Sequence, residues 1–470
     1  MFADAITRAI CRHHRRRLRR NGWAGVLDAP PGGWAAGPSS PRGGNRLDIL
    51  IDGAEALPRI ADELKRARSH VHLAGWYFSP EFALVRGREP EVLRNLLAEL
   101  AARLPVRVLV WAGAPLPLFR PSRRTVRKMR ERLINNSSIQ CGLDRHERPM
   151  HCHHEKTIVI DDRIAFVGGI DLTAEAGDRH DTNSHPARAS VGWHDASARV
   201  EGPAVADVAE HFRMRWLEVT GEALPAVAAP TPIGDIELQV VRTIPERVYK
   251  SVARGEFRIL ESYVRALRAA QRFIYLENQF LWSAELAAIL GDKLANPPNP
   301  DFRLVVLLPA KPNNGSDDTR GVLGELLDAD NGHGRLVACT LYARKRTLHD
   351  QIYVHAKVGI VDDTWLTLGS ANLNEHSLFN DTEMNIVTHD PATVRRTRRR
   401  LWAEHLELRC DELPDDPIKT IDDHWKPISA EQLQRCNAGQ PLTHRLVRLP
   451  DISRRSARLL GPLNGLLVDG

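Results

Sequence analysis

The residues of this chain best suited to chemistry are two histidine–lysine pairs that occur in the same arrangement twice. Both segments read H-x-K-x-x-x-x-D, with the fixed positions at His154, Lys156, Asp161, His355, Lys357 and Asp362. A neutral imidazole can attack phosphorus, a protonated imidazole can protonate the leaving oxygen, and lysines can neutralise the nonbridging oxygens. The pattern therefore predicts cleavage of a phosphodiester at one site built from both copies, through a covalent intermediate.

The spacing within each copy indicates which side chains face the substrate. On a β-strand, residues two apart point to the same side, so His154 and Lys156 are expected to point together, and the same holds for the second copy. Asp161 and Asp362 are at odd spacing from their histidines, in an Asp-Asp turn between two apolar segments. We expect these two aspartates to fix a hairpin rather than to touch the substrate.

Small residues follow the second strand of each predicted hairpin. They are Gly168, Gly169, Gly369 and Ser370. Such residues are expected to let the backbone come close to a bound group. Ser370, Asn372 and Asp171 are the candidate phosphate-binding residues. Asp171 stands where the second copy has Asn372, and its negative charge is less suited to phosphate.

Two carboxylates complete the predicted catalytic set. Asp195 and Glu383 are each followed by a proline eight residues later, at Pro203 and Pro391. A carboxylate beside each imidazole would orient the ring and stabilise its charged form. Residues 71–77 also resemble residues 274–280, and the two motif histidines lie 201 positions apart (355 − 154). A nearly constant offset indicates an internal duplication.

A metal site is the alternative reading of one segment. His151, Cys152, His153 and His154 are consecutive. Neighbouring residues on a strand alternate faces, and no second group of ligands is apparent, so no metal site is predicted there. The two-histidine scheme needs no metal and no cofactor.

Composition limits the class of protein. The chain has 470 residues, of which 43% are hydrophobic and 26% charged, enough for two globular domains. The net charge of +6 fits a phosphate-bearing partner, either a nucleic acid or an anionic membrane surface. Six cysteines without C-x-x-C spacing favour a reducing compartment. Without an apolar leader or an 18-residue apolar run, we expect a cytoplasmic protein, with peripheral membrane association left open.

Alternating strand and helix patterns predict an α/β protein organised in two similar halves. Residues 1–45 are expected to form a basic, partly flexible arm, whose arginine run 12–20 is either solvated or in contact with anionic lipid. Residues 46–222 and 237–408 are the two predicted phosphodiesterase domains, joined by an Ala/Pro linker at 223–236. Residues 409–470 are expected to form a packing tail, with a lid over the site as the alternative.

These residues resemble those of the phospholipase D superfamily, the HKD phosphodiesterases. The resemblance covers roughly residues 46 to 408 and rests on both motifs and on the blocks 239–244, 274–280 and 369–377. It implies two α/β/α sandwich domains related by a pseudo-twofold axis, with the active site at their interface, a phosphohistidine intermediate and turnover without metal. In that family the first motif usually supplies the nucleophile, which implies His154, with His355 as acid and base. The symmetry of the sequence leaves this order open.

The resemblance implies a phospholipid substrate at a membrane surface, with water or an alcohol as acceptor. Phospholipase D activity on a lipid such as phosphatidylcholine is the leading hypothesis. A cardiolipin synthase-type phosphatidyltransferase and a nuclease of the same superfamily are the alternatives. Nucleic acid is disfavoured because aromatic residues make up only 6% of the chain and do not alternate with basic ones. A monomer is expected, since one chain carries both motifs.

Overall fold

The computed structural model describes residues 2–37, 39–115, 120–228, 230–312, 316–344 and 349–450. The apolar stretch at 459–467, which belongs to the predicted packing tail, lies outside the described residues. Within them, no helix is both long and apolar enough to cross a membrane.

The first half of the chain alternates strands and helices after an initial helix, α1 (Phe2–Arg20). The elements that follow are β1 (Arg42–Ile51), α2 (Asp52–Lys65), β2 (Val71–Gly75), β3 (Ala83–Val85), β4 (Glu91–Val92), α3 (Leu93–Ala101), β5 (Val106–Trp111), α4 (Arg123–Ile134), β6 (Gln140–Asp144), β7 (Thr157–Ile160), β8 (Ile164–Gly168), β9 (Trp193–His194), β10 (Ala196–Glu201) and α5 (Val205–Thr220).

The second half repeats this alternation and ends in additional helices. Its elements are β11 (Ile236–Ile244), β12 (Glu256–Phe257), α6 (Arg258–Ala269), β13 (Phe273–Glu277), α7 (Ala284–Ala295), β14 (Arg303–Leu307), α8 (Ser316–Asp330), β15 (Leu336–Arg344), β16 (His349–Val354), β17 (Val358–Val361), β18 (Trp365–Gly369), β19 (Glu383–Thr388), α9 (Pro391–Leu406), α10 (Pro417–Thr420), α11 (Lys426–Asn437) and β20 (Leu446–Arg448).

The two halves have the same strand order. In the first half the strands pair in the order β1-β10-β8-β7-β2-β5-β6, and in the second half in the order β11-β19-β18-β17-β13-β14-β15. In each, the last two pairings are parallel and the others antiparallel. The mixed α/β class predicted from the sequence is confirmed, and the duplication is visible as one topology used twice.

The two sheets are continuous with each other. Strand β1 pairs antiparallel with β11, and β9 pairs parallel with β16, so backbone hydrogen bonds cross between the halves in two places. One hydrophobic core lies between the halves and includes side chains of α5 and α9 together with strands of both sheets. Separate cores on the outer faces contain α2, α3 and α4 in the first half and α6, α7 and α8 in the second. Each sheet is therefore covered on both faces, as parallel strands require.

The segment before β1 packs against the second half. Leu18, Leu27 and Ala35 are buried in the outer core of that half, and Arg17 forms an ion pair of 2.7 Å with Glu246. The expectation of a partly flexible arm is therefore corrected for the described residues of this segment. Its glycines and prolines form turns that keep the chain against α6, where the backbone N–H of Gly32 donates to the carbonyl of Arg265 at 2.9 Å.

Residues after α9 also pack on the second half. Trp425 is fully buried and lies against Tyr275 and Trp402, and β20 pairs antiparallel with β15. These contacts cover the inner face of the second sheet with aromatic side chains.

Candidate active site

Both motif histidines lie where the two halves meet. His154 and Lys156 are in an extended segment just before β7, and His355 and Lys357 are between β16 and β17. The prediction that each pair is part of a regular strand is therefore wrong. All four side chains are buried. They lie near one another, because Lys156, Lys357 and His154 are all close enough to lower the pKa of His355. Each extended segment is held by the opposite half of the chain instead of by its own sheet.

Backbone hydrogen bonds dock each motif onto the other half. The N–H groups of His154 and Glu155 both donate to the carbonyl of Thr382, at 2.9 and 3.0 Å. In the second copy, the N–H groups of His355 and Ala356 both donate to the carbonyl of His194, at 2.8 and 3.1 Å. The accepting residue immediately precedes the predicted carboxylate in each case. This reciprocity is what a pseudo-twofold relation between the two copies requires.

The two predicted carboxylates contact the imidazoles across the interface. Glu383 Oε1 lies 2.9 Å from Nδ1 of His154, and Asp195 Oδ2 lies 2.7 Å from Nδ1 of His355. Each half therefore supplies a histidine to its own motif and a carboxylate to the other motif. A carboxylate on Nδ1 fixes the orientation of the ring and leaves Nε2 available for chemistry.

Glu383 is held by two hydroxyl groups from its own half. The hydroxyl of Ser377 donates to Oε1 at 2.6 Å, and that of Ser370 donates to Oε2. Ser370 thus supports Glu383, and its predicted contact with phosphate stays a prediction. Ser377, which the sequence analysis missed, lies in a π-helical turn at His376–Asn380 and had no counterpart in the first copy to mark it.

The protonation of the site is controlled by burial. Burial raises the pKa of Glu383 to about 8 and that of Asp195 to about 6, against the opposing charges of Lys156 and Lys357 respectively. Burial, together with the charges of the two lysines, holds the pKa of His355 well below its ordinary value. These shifts favour the neutral ring of His355, whose Nδ1 faces Asp195. The expectation that one histidine starts the reaction protonated stays a prediction, and in the ligand-free site burial and the lysine charges act against that form of His355.

The two lysines are fixed by similar contacts. The ammonium of Lys156 donates to the carbonyl of His154 at 2.8 Å, and that of Lys357 donates to the carbonyl of His355. Lys156 also lies 3.5 Å from Asp171. Asp171 thereby offsets the charge of Lys156, and its predicted contact with phosphate stays a prediction.

The second copy presents amide groups beside its lysine. Oε1 of Gln279 accepts hydrogen bonds from Lys357 at 3.2 Å and from Nδ2 of Asn372 at 3.4 Å. Asn372, predicted to bind phosphate, is fully buried next to Lys357. Gln279 lies in the repeated block 274–280, but the repeat did not predict its role, because the first copy has Trp76 at the equivalent position.

An arginine and an aromatic ring border His355. The ring of Trp193 lies 4.4 Å from that of His355, centroid to centroid, and the guanidinium carbon of Arg179 lies 3.3 Å from the Trp193 ring centroid. Burial lowers the pKa of Arg179 to about 10, although the carboxylates of Asp171 and Asp195 oppose this. Arg179 thus adds a further cation to the site. No repeated motif marked it, so the sequence alone did not single it out.

The small residues after β8 and β18 serve the packing of the site. A Cβ atom on Gly169 would overlap the carboxylate of Asp195, and one on Gly369 would overlap Asn385 of β19. A Cβ on Gly168 would lie 2.6 Å from the Cα of Ser197 in β10. The close approach predicted for these glycines therefore occurs to neighbouring parts of the protein, and approach to a bound group stays a prediction.

The motif aspartates bind backbone at the far end of the hairpins. Asp161 accepts hydrogen bonds from the N–H groups of Ser69 at 2.7 Å and Arg68 at 2.9 Å, just before β2. Asp362 accepts them from Phe273 at 2.7 Å and Arg272 at 2.9 Å, at the start of β13. Both aspartates have positive φ, 57° and 52°. They fix the hairpins to the neighbouring strand, away from the histidines.

Comparison with known proteins agrees with this geometry. A family model described as phospholipase D matches residues 332–438, which include the second motif. The chain is 26% identical over 457 residues to phospholipase D A of Dictyostelium discoideum, with 77% of this chain and 36% of that protein covered. It is 24% identical over 516 residues to phospholipase D alpha 4 of Arabidopsis thaliana, with 80% of this chain and 66% of that protein covered.

The chain is similar to proteins named phospholipase D over most of its length. It spans about a third of the Dictyostelium protein and about two thirds of the Arabidopsis one. Among solved structures, the phosphatidylserine synthase of Haemophilus influenzae Rd KW20 superposes with a TM-score of 0.50 at 13% identity, over 90% of this chain and 98% of that one. At that identity the likeness shows a shared fold.

Proposed function

We propose that this chain is a phospholipase D-type phosphodiesterase that hydrolyses a glycerophospholipid to phosphatidic acid and a free headgroup. The observation that supports this most strongly is the reciprocal pairing of His154 with Glu383 and of His355 with Asp195. Two imidazoles with fixed orientation, each beside a lysine, provide a nucleophile and a proton carrier for one phosphate without a metal ion.

In the proposed first step, Nε2 of His154 attacks phosphorus, and the bond from phosphorus to the headgroup oxygen breaks. His355 gives its proton to that leaving oxygen, and the phosphatidyl group remains on His154. Lys156, Lys357 and Asn372 face the nonbridging oxygens, where negative charge develops. The bound anion opposes the lysine charges that lower the pKa of His355, so substrate binding favours the protonated ring that this step needs.

In the second step, His355 takes a proton from water, the resulting oxygen attacks phosphorus, and the bond to His154 breaks. Phosphatidic acid leaves and the site returns to its starting state. An alcohol in place of water would give transphosphatidylation by the same route. The membrane surface is the proposed location of the substrate, and a monomer is the proposed acting form, since one chain carries the whole site.

The experiment offers the purified full chain three substrates in the presence of EDTA. These are phosphatidylcholine vesicles, phosphatidylglycerol vesicles and supercoiled plasmid. We expect choline release and neither cardiolipin nor nicked DNA. Cardiolipin would support a phosphatidyltransferase, and nicked plasmid a nuclease, so either product without choline release would refute the proposal.

The roles of the two histidines are tested with matched variants. His154→Ala and His355→Ala should each abolish choline release while the circular dichroism spectrum is unchanged, and His13→Ala, on the exposed face of α1, should be fully active. Rapid quenching at alkaline pH, followed by peptide mapping, should find the phosphatidyl adduct on His154. An adduct on His355 would reverse the two roles, and an adduct on any other residue would refute the mechanism.

A further inference from the structure

A second cluster of buried polar side chains lies next to Asp195, whose backbone N–H donates to one of them. Its members are Asp52, His185, His194 and Glu404, and one ligand-type atom of each lies within 4.8 Å of the others. All four are buried, with Asp52, His185 and His194 at 2% exposure or less. None of them takes part in the proposed reaction, so their close approach needs another explanation.

The distances within this cluster match those between the ligands of one small cation. His194 Nδ1 lies 2.9 Å from an oxygen of Asp52 and 3.1 Å from Oε1 of Glu404. His185 Nε2 lies 3.0 Å from the same Glu404 oxygen and 3.8 Å from Asp52. Four ligands placed tetrahedrally about 2.0–2.1 Å from zinc would be separated by about 3.3 Å. The two nitrogens and two carboxylates thus have the spacing and the chemistry of a four-coordinate site.

The outer nitrogens of both histidines support this reading independently. His185 Nδ1, on the side of the ring away from the cluster, lies 3.0 Å from Oδ2 of Asp181. His194 Nε2, likewise on the outer side, contacts Oε1 of Glu277. A histidine that binds a metal through one nitrogen characteristically faces a carboxylate with the other, which fixes the tautomer and makes the ring a better ligand. Both histidines of the cluster have this arrangement.

The charges of the cluster also favour a bound cation. Among the ion pairs of the described residues, no lysine or arginine is paired with the side chains of Asp52 or Glu404, and Oδ2 of Asp52 accepts no hydrogen bond although it is buried. Two buried carboxylates without such a partner are unfavourable unless a cation lies between them. Either two protonated imidazoles or one divalent ion could supply that charge.

We propose that Asp52, His185, His194 and Glu404 bind one structural divalent cation, with zinc as the best fit to a closed site of two imidazoles and two carboxylates. The ion would join the halves, because Glu404 lies on α9 and the other three ligands lie in the first half. It would also fix the catalytic backbone. Asp52 Oδ1 accepts a hydrogen bond from the N–H of Asp195 at 3.1 Å, and the His194 carbonyl accepts the N–H of His355.

The first test is metal analysis of the full chain, purified with an affinity tag that contains no histidine. We expect about one equivalent of zinc per chain, retained through brief exposure to EDTA because the site is buried. Protein refolded with cobalt(II) should show the visible absorption of a tetrahedral site. Less than about a tenth of an equivalent, both as purified and after refolding with zinc, cobalt(II), manganese or iron(II), would overturn the proposal in favour of protonated histidines.

Variants separate metal binding from general stability. His185→Gln should lower the bound zinc at least tenfold. His211→Gln is the matched control, because it removes a buried histidine that lies 2.6 Å from Glu155 outside this cluster, and it should retain one equivalent. If His185→Gln fails to fold, wild-type protein refolded with and without zinc decides. A saturable rise in Tm at one equivalent supports the site, and an unchanged Tm overturns it.

Discussion

Nδ1 of His154 lies 2.9 Å from Oε1 of Glu383, a residue 229 positions further along the chain. The second pair, His355 with Asp195, spans 160 positions in the opposite direction. The active site is therefore interlocked, and each half needs the other to orient its histidine. A change to either carboxylate should affect the motif of the opposite half.

Replacement of either carboxyl group by an amide should lower turnover with little effect on substrate binding. We expect Glu383→Gln and Asp195→Asn to lower kcat by roughly 10²- to 10⁴-fold, because the imidazole loses its orienting acceptor and the stabilisation of its charged form. KM should change little, since neither group faces the substrate. Steady-state choline release measures both constants. Glu237→Gln, an exposed carboxylate on β11, is the control, and equal losses in kcat for it would contradict the assignment.

The hydroxyl of Ser377 should lower the pKa of Glu383, the residue that it contacts. Its hydrogen bond to Glu383 favours the ionised form, so Ser377→Ala should raise the pKa of Glu383 further above its already raised value. We expect kcat to fall about tenfold at neutral pH and the loss to shrink as the pH rises, because high pH restores the carboxylate. Ser251→Ala, at an exposed serine, provides the reference profile. A loss that is the same at every pH would argue for a purely structural role.

Lys357 should set the alkaline limit of activity. Burial lowers its pKa to about 8, so the free enzyme loses this cation as the pH rises through that value. We expect kcat/KM to fall above pH about 8, because this constant reports groups in the free enzyme and a neutral amine cannot offset phosphate charge. In Lys357→Arg the charge does not titrate in this range, so the decline above pH about 8 should be absent from its profile. The same alkaline decline in that variant would assign the limit to another group.

Asp161 should matter for stability but not for chemistry. It accepts backbone hydrogen bonds just before β2, and we expect Asp161→Ala to lower the free energy of unfolding by about 2 kcal/mol in urea. Burial acts against it, but these hydrogen bonds hold the pKa of Asp161 below its ordinary value. Its contribution is therefore present above the unfolded-state pKa and is lost as the pH falls through the folded-state pKa.

Two controls make the Asp161 experiment specific. Asp235→Ala, at an exposed aspartate, should leave the unfolding midpoint unchanged. The activity of folded Asp161→Ala at 25 °C should stay within about twofold of wild type, because the side chain lies at the far end of the hairpin from His154. A large loss of kcat in a folded sample would place Asp161 closer to the reaction than the structure does.

Arg179 should contribute to binding of the anionic substrate. Its guanidinium packs on Trp193, whose ring also lies against His355. We expect Arg179→Met, which keeps much of the side-chain volume, to lower kcat/KM by about 10- to 100-fold through the loss of one buried cation. Arg163→Met, on the hairpin between β7 and β8, is the control because its guanidinium pairs with Glu201 instead. Unchanged kcat/KM for Arg179→Met would remove it from the site.

Local sequence pattern was enough for the features that depend on local spacing. The strands and helices of each half follow from alternating apolar segments, and the Asp-Asp turns follow from residues that tolerate positive φ, as Asp161 and Asp362 do. The glycines that permit close approach were also recognisable from the sequence, but the groups that lie against them were not. Gly169 makes room for Asp195, a contact that requires knowledge of the strand pairing.

The sequence by itself determined the duplication, the mixed α/β class and the six residues of the two imidazole–lysine–carboxylate sets, because a repeat of residue types at a nearly constant offset can be read without coordinates. Only the tertiary structure decided that the carboxylates cross between the halves, that Ser370 supports Glu383, and that Arg179, Gln279 and Ser377 join the site. These contacts join residues far apart in the chain, and they depend on how two sheets pack around one core. Spacing along a sequence carries no information about that packing.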